Sequence, residues 1–137
     1  MATSELNNNN IMMNIMKNYV INVIKQHWLF ISIIVLLNIT ALSLIPLEEL
    51  PATPGSDKTR HLIAYAVLAY PASLRKPAGW KYIIFIFAVY SGLIEICQPY
   101  IKRYGEWLDF GANMCGLLLG YSLARLTNSG HQNKLRD

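Results

Sequence analysis

The stretch 28-WLFISIIVLLNITALSLIPL-47 runs for twenty residues without a charged side chain, and its reading decides the fold. A helix of about 20 residues, rising 1.5 Å each, crosses the roughly 30 Å hydrocarbon core of a bilayer. The block therefore predicts a membrane span. Three more uncharged blocks follow at 62–74, 82–94 and 110–124. They are too short to cross unless each borrows polar neighbours, so the spans are expected to extend to Thr59, Tyr100 and Trp107 respectively. That extension draws His61, Glu95 and Asp109 to the edge of the hydrocarbon.

Composition agrees. Within 137 residues, enough for one domain, 53% are hydrophobic and only 15% charged, against the quarter or so of charged residues typical of soluble domains. Runs such as 33-IIVLL-37, 82-YIIFIFAVY-90 and 114-MCGLLLGY-121 are apolar all round, whereas a soluble bundle needs a polar face at a 3.6-residue period. The expected fold is all-α, an integral-membrane four-helix bundle. A soluble helical bundle is the alternative. A cleaved secretory signal fits poorly, because the first block is long, lies far from the start and is followed by further spans.

Four spans give the chain two sides. Lys17, Lys25, Arg75, Lys76, Lys81, Arg125, Lys134 and Arg136 fall on one; Lys58, Arg60, Lys102 and Arg103 fall on the other. The acids divide the opposite way, with only Glu5 and Asp137 on the first side. Excess Lys and Arg marks cytoplasmic loops, so both termini and the 75–81 loop are expected in the cytoplasm, in a cytoplasmic (inner) membrane. The net charge of +4 then reflects topology, not nucleic-acid binding. Trp28, Trp80 and Trp107, with Tyr82, Tyr100 and Tyr104, sit near span ends, where amphipathic rings favour the interface.

Ahead of the first span, residues 7–10 read NNNN, a polar run expected to be disordered. Beyond it Ile11, Met12, Ile15, Met16, Tyr19, Val20, Val23 and Ile24 repeat on one helical face, opposite Asn14, Lys17, Asn18, Asn22 and Lys25, with Met13 and Ile21 out of pattern. This predicts an amphipathic helix on the cytoplasmic surface; a merely local helical lead-in is the alternative. The expected division is an N-terminal extension over 1–26, the four-span domain over 27–127 and a polar tail over 128–137. Cys97 and Cys115 show no ligand spacing and are expected to be small packing residues.

The topology places the polar ends of spans two, three and four on one side. Asp57, His61 and Tyr65 are spaced i, i+4, i+8, which stacks them on one helix face. Glu95 and Gln98 close the third span, and Pro99 is expected to stop it. Glu106, Asp109 and Asn113 open the fourth. Asp57 and Asp109 also suit helix starts, where acid meets the positive end of the dipole. Glu95 does not, since it opposes the dipole and is desolvated, so it needs a partner among Lys58, Arg60, His61 and Arg103. Ala112, Gly116, Gly120 and Ala124 form a small-residue stripe for close helix packing, within the chain or between copies in a homo-oligomer.

These motifs, DKTRHLIAYAVL, EICQ and RYGEWLDFGANMCGLLLG, resemble the VanZ-like family of small bacterial membrane proteins, through Asp57, Lys58, His61, Tyr65, Leu68, Glu95, Gln98, Arg103, Glu106, Asp109, Asn113, Gly116 and Gly120. The N-terminal segment lies outside that pattern. The resemblance implies a multi-pass protein of the cytoplasmic membrane, with a link in some relatives to teicoplanin (glycopeptide) resistance, and assigns no catalytic residue.

Two functions fit the residues. In one, the cluster is a binding pocket or a charge-paired lock that binds or shields envelope components. In the other, it is an enzyme acting on a lipid-linked or phosphate-bearing cell-wall precursor. There His61, Glu95, Asp57 and Asp109 are the candidate catalytic groups, with Lys58, Tyr65, Gln98, Arg103, Glu106 and Asn113 contacting ligand. No cofactor is expected. Asp57, His61, Glu95 and Asp109 are also able to ligate a divalent metal, but their spacing matches no metal motif, so none is expected.

Overall fold

The computed structural model describes residues 2–45, 57–101 and 106–133. Among them are five α-helices and no strand: α1 (Ala2–Gln26), α2 (Trp28–Leu44), α3 (Asp57–Arg75), α4 (Trp80–Cys97) and α5 (Trp107–Asn133). The fold is all-α, with α2 to α5 falling on the four apolar blocks of the sequence. Arg103 and the polar run just before Asp57 lie outside the described residues.

The core is built on α3 against α5, the most extensive helix pairing in the chain. The two run parallel in register: Lys58 meets Glu106 and His61 meets Asn113 at one end, while Tyr70 bonds Thr127 and Asn128 Nδ2 donates to the Leu74 carbonyl at the other. Glycine makes the approach possible. A Cβ on Gly116 would collide with the Leu62 carbonyl, and one on Gly120 with that of Ala66. Two glycines four apart lie on one face of a helix, so the stripe seats α5 on α3 within the chain.

α4 runs antiparallel beside them, with Asn113 bonded to Ser91 and Trp80 stacked on Tyr121 at 5.5 Å. Its entry turn needs Gly79, whose φ of 74° lies in the left-handed region that Cβ-bearing residues avoid. The α-helix ends at Cys97 and a 3-10 turn covers Gln98–Ile101, because Pro99 has no N–H to continue the ladder. α2 packs mainly on α3 and reaches α4 through Thr40 and the Tyr90 hydroxyl.

The distribution of side chains is inverted relative to a soluble domain. Phe30, Leu37, Phe85, Ile86, Leu118 and Leu126 are exposed, whereas Ser91, Glu95, Gln98, Asp109 and Asn113 are buried. By length and composition, α4 with its 3-10 extension (Trp80–Tyr100) is sufficient to cross a membrane by itself, and Asn7–Gln26 with Trp28–Leu44 passes as a pair bent by 74°.

The expectations for Asn7 to Asn10 and for the two cysteines are corrected. Asn7 to Asn10 are helical, carried inside α1 between its flanking turns. Among the described side chains of α1, Ile21, which lies outside the amphipathic pattern, is the buried one, against Leu74 and Ala124, while Ile11, Met12, Ile15, Met16 and Tyr19 are exposed. The neighbouring helices, not periodicity within α1, choose its inner face. Cys97 and Cys115 are exposed and free, on outward faces, and so do not pack the core. At the other terminus α5 continues to Asn133 through residues expected to form a tail.

Candidate functional site

At the shared end of α3, α4 and α5 the first turns of two helices meet the last turn of a third. His61 lies at the centre with its side chain 11% exposed. Its Nδ1 is 3.0 Å from Asn113 Oδ1. Asn113 Nδ2 donates to Ser91 Oγ at 2.8 Å, so Oδ1 is left to accept, and Nδ1 of His61 carries the proton it accepts. In the neutral ring Nε2 is then a lone pair. It faces Asp57 Oδ2 at 3.7 Å and Asp109 Oδ2 at 3.9 Å.

Around this centre lies a gradient from paired to unpaired acid. Asp57 is held by Arg60 at 2.8 Å. The exposed Glu106 accepts from Lys58 at 2.9 Å, and Lys58 lies 3.7 Å from Asp109. The Glu106 carboxylate raises the Lys58 pKa above the ordinary lysine value, against a smaller opposing effect of desolvation. Asp109 Oδ1 and both oxygens of Glu95 are buried with no hydrogen-bond partner among the described residues. The Glu106 backbone N–H is near Glu95 but outside hydrogen-bond geometry. Glu95 is nonetheless within electrostatic reach of His61, Asp109 and Asp57.

The residues singled out in the sequence are thus largely brought together. Asp57, Lys58, His61, Glu95, Glu106, Asp109 and Asn113 share one region. Tyr65 and Gln98 are fully buried, with the Tyr65 hydroxyl and Gln98 Oε1 making no hydrogen bond of ordinary geometry among the described residues. Arg103 falls in the undescribed 102–105 segment.

Two features were missed by sequence reading. Ser91 lies four residues before Glu95, on the same face of α4, and anchors Asn113; that spacing was the available signal. At the opposite end Lys25, Arg75, Lys76 and Arg125, with Leu74, Asn128 and Ser129, line a cleft of about 380 Å³. The sequence places these cations on one side of the chain, and folding gathers them around one cleft. Chemically, the acidic end is suited to hold a cation or a proton, and the basic end an anion.

A family model described as VanZ/LLP1 matches residues 2–128. The match takes in α1, on which none of the motif residues lies. No curated protein and no solved structure matches the chain.

Proposed function

Because the chain belongs to the VanZ/LLP1 family, we propose that it is a multi-pass protein of the cytoplasmic membrane whose acidic, histidine-centred cluster opens outward and binds or shields an envelope component. Such a role belongs to cell-envelope physiology or to the teicoplanin resistance that the family resemblance implies. The observation that carries this reading is the convergence of Asp57, His61, Glu95, Asp109 and Asn113 from three helices beneath an apolar exterior. Ionisable groups inside apolar helices are costly and are commonly kept for a task.

The proposed membrane arrangement, with both termini in the cytoplasm, draws support from the exposed apolar faces and from the bias of Lys and Arg toward the basic end. With α2 along the membrane normal, the 74° bend lays α1 about 16° from the membrane plane, its exposed Ile and Met residues available to lipid.

A second reading, a membrane enzyme on a lipid-linked or phosphate-bearing precursor, is favoured by one feature. His61 Nε2 stands between two carboxylates, in a position to accept a proton.

The test is isosteric. Glu95→Gln and His61→Gln are expected to accumulate in the membrane at wild-type levels and to lose any protection against teicoplanin or envelope stress that the wild-type chain confers over an empty vector. Loss of fold in both variants makes the cluster a structural lock, which overturns the binding reading. Turnover of a lipid-linked phosphate by the purified wild-type chain selects the enzyme.

A further inference from the structure

Three side chains at the centre of the cluster lie close enough together to share one ion. One ligand atom each from Asp57, His61 and Asp109 lie within 4.8 Å of one another. The distances from His61 Nε2 to the two carboxylates, 3.7 and 3.9 Å, are too long for charge-assisted hydrogen bonds, which close to about 2.7–2.9 Å. They are near the separation of roughly 3.4 Å that two ligands adopt on a tetrahedral ion with bonds of about 2.1 Å.

Further observations point the same way. His61 offers its Nε2 lone pair to the gap, because Nδ1–H is engaged by Asn113, and Asn113 is fixed in turn by Ser91. A partner on the remote ring nitrogen that sets tautomer and orientation is the usual support of a metal-bound histidine. Glu95 adds the second sign of a missing ligand. Glu95 is 5% exposed, both its carboxylate oxygens lack hydrogen-bond partners among the described residues, and it lies within electrostatic reach of His61 and Asp109. Asp109 Oδ1 is likewise buried without a hydrogen bond. Among the described residues, the cations nearest the three acids are Lys58 and Arg60, both at the rim of the cluster.

We propose that Asp57, His61 and Asp109 hold one divalent first-row cation of the Zn²⁺ or Mn²⁺ type, with Asn113 as the positioning residue of His61 and Glu95 as the adjoining buried carboxylate. One imidazole with carboxylates suits the borderline Zn²⁺, and after it the harder Mn²⁺, better than Mg²⁺ or Ca²⁺, which prefer all-oxygen sets. Three protein ligands leave a coordination position for an oxygen donor. An oxyanion beside Lys58 is then the class of ligand the site takes, and this last step rests on the binding reading given above.

The experiment uses the full chain, purified in detergent with any affinity tag removed, stripped with chelator and dialysed against Zn²⁺ or Mn²⁺, with helicity followed by circular dichroism. One equivalent per chain is expected. Asp109→Asn and His61→Ala each weaken uptake by at least about tenfold, and Asn113→Leu by about tenfold, as loss of a supporting partner does; Ser122→Ala, on an exposed face of α5, binds as wild type. Should a ligand variant fail to fold, Co²⁺ bound to the wild type is expected to show d–d absorption bands perturbed by nitrogen ligation. Wild-type protein that takes up no metal overturns the proposal. So does uptake that persists unchanged in folded Asp109→Asn and His61→Ala. No envelope ligand is present, so the envelope phenotype and the metal site stand or fall separately.

Discussion

The two ends of the α3–α5 pair are built from the same helices and are opposites. At one, Asp57, His61, Asp109 and Asn113 are wholly or partly buried and connected across helices, with Glu95 close by. At the other, Arg75, Lys76 and Arg125 are exposed around an open cleft, and Lys76 lies 5.8 Å from the Trp80 ring. Buried polar groups are costly when a partner is lost, whereas exposed charges are screened and interchangeable. The contrast teaches that one end is held by specific geometry and the other acts through net charge.

Breaking the seam between them should have the largest effect. Gly120→Leu drives a side chain into the Ala66 backbone and is expected to reach or pass the upper end of the about 1–3 kcal/mol that overpacking costs, read as loss of the folded species in detergent unfolding. Next, Asn113→Ala strands His61 Nδ1 and Ser91 Oγ in a buried setting; a loss of about 1–3 kcal/mol is expected by the same measurement. Destabilisation indistinguishable from that of a surface change would refute the wired picture of this end. Arg125→Gln at the basic cleft should stay within about 0.5 kcal/mol, as exposed substitutions do. Its effect should appear instead in binding to anionic vesicles, which weakens as salt rises.

The smallest effect belongs to the exposed Lys58–Glu106 pair, and it fixes a sign. Since Glu106 raises the Lys58 pKa above the ordinary 10.5, the contribution of the pair is fully present through the neutral range and is lost on the alkaline side as pH rises beyond that value. The slight effect of Lys58→Gln on melting is therefore expected to be unchanged through the neutral range and to vanish in strong alkali. A loss near neutrality would contradict this assignment.

Much of the fold was legible because apolar blocks and their breaks are local properties. Pro99 ends α4 where its missing N–H requires, and the spacing of Gly116 and Gly120 shows a face built for close approach. The site was legible as membership but not as geometry. Asp57, His61 and Asp109 carry no ligand spacing because they come from two helices joined through another helix, so their meeting is a consequence of the α3–α5 register. Ile21 shows the same limit, being buried by Leu74 and Ala124 in defiance of the pattern of its own helix.

By itself, the order of residues determined an all-helical chain, the positions of its helices and the segregation of charge to its ends, since each follows from side-chain polarity read along a 1.5 Å rise. Only the tertiary structure decided that α5 seats on α3 in parallel, that Asn113 turns the Nε2 lone pair of His61 toward two carboxylates, and that four scattered cations line one cleft. Those outcomes depend on which backbones can approach one another, a property of pairs of helices and not of either one alone.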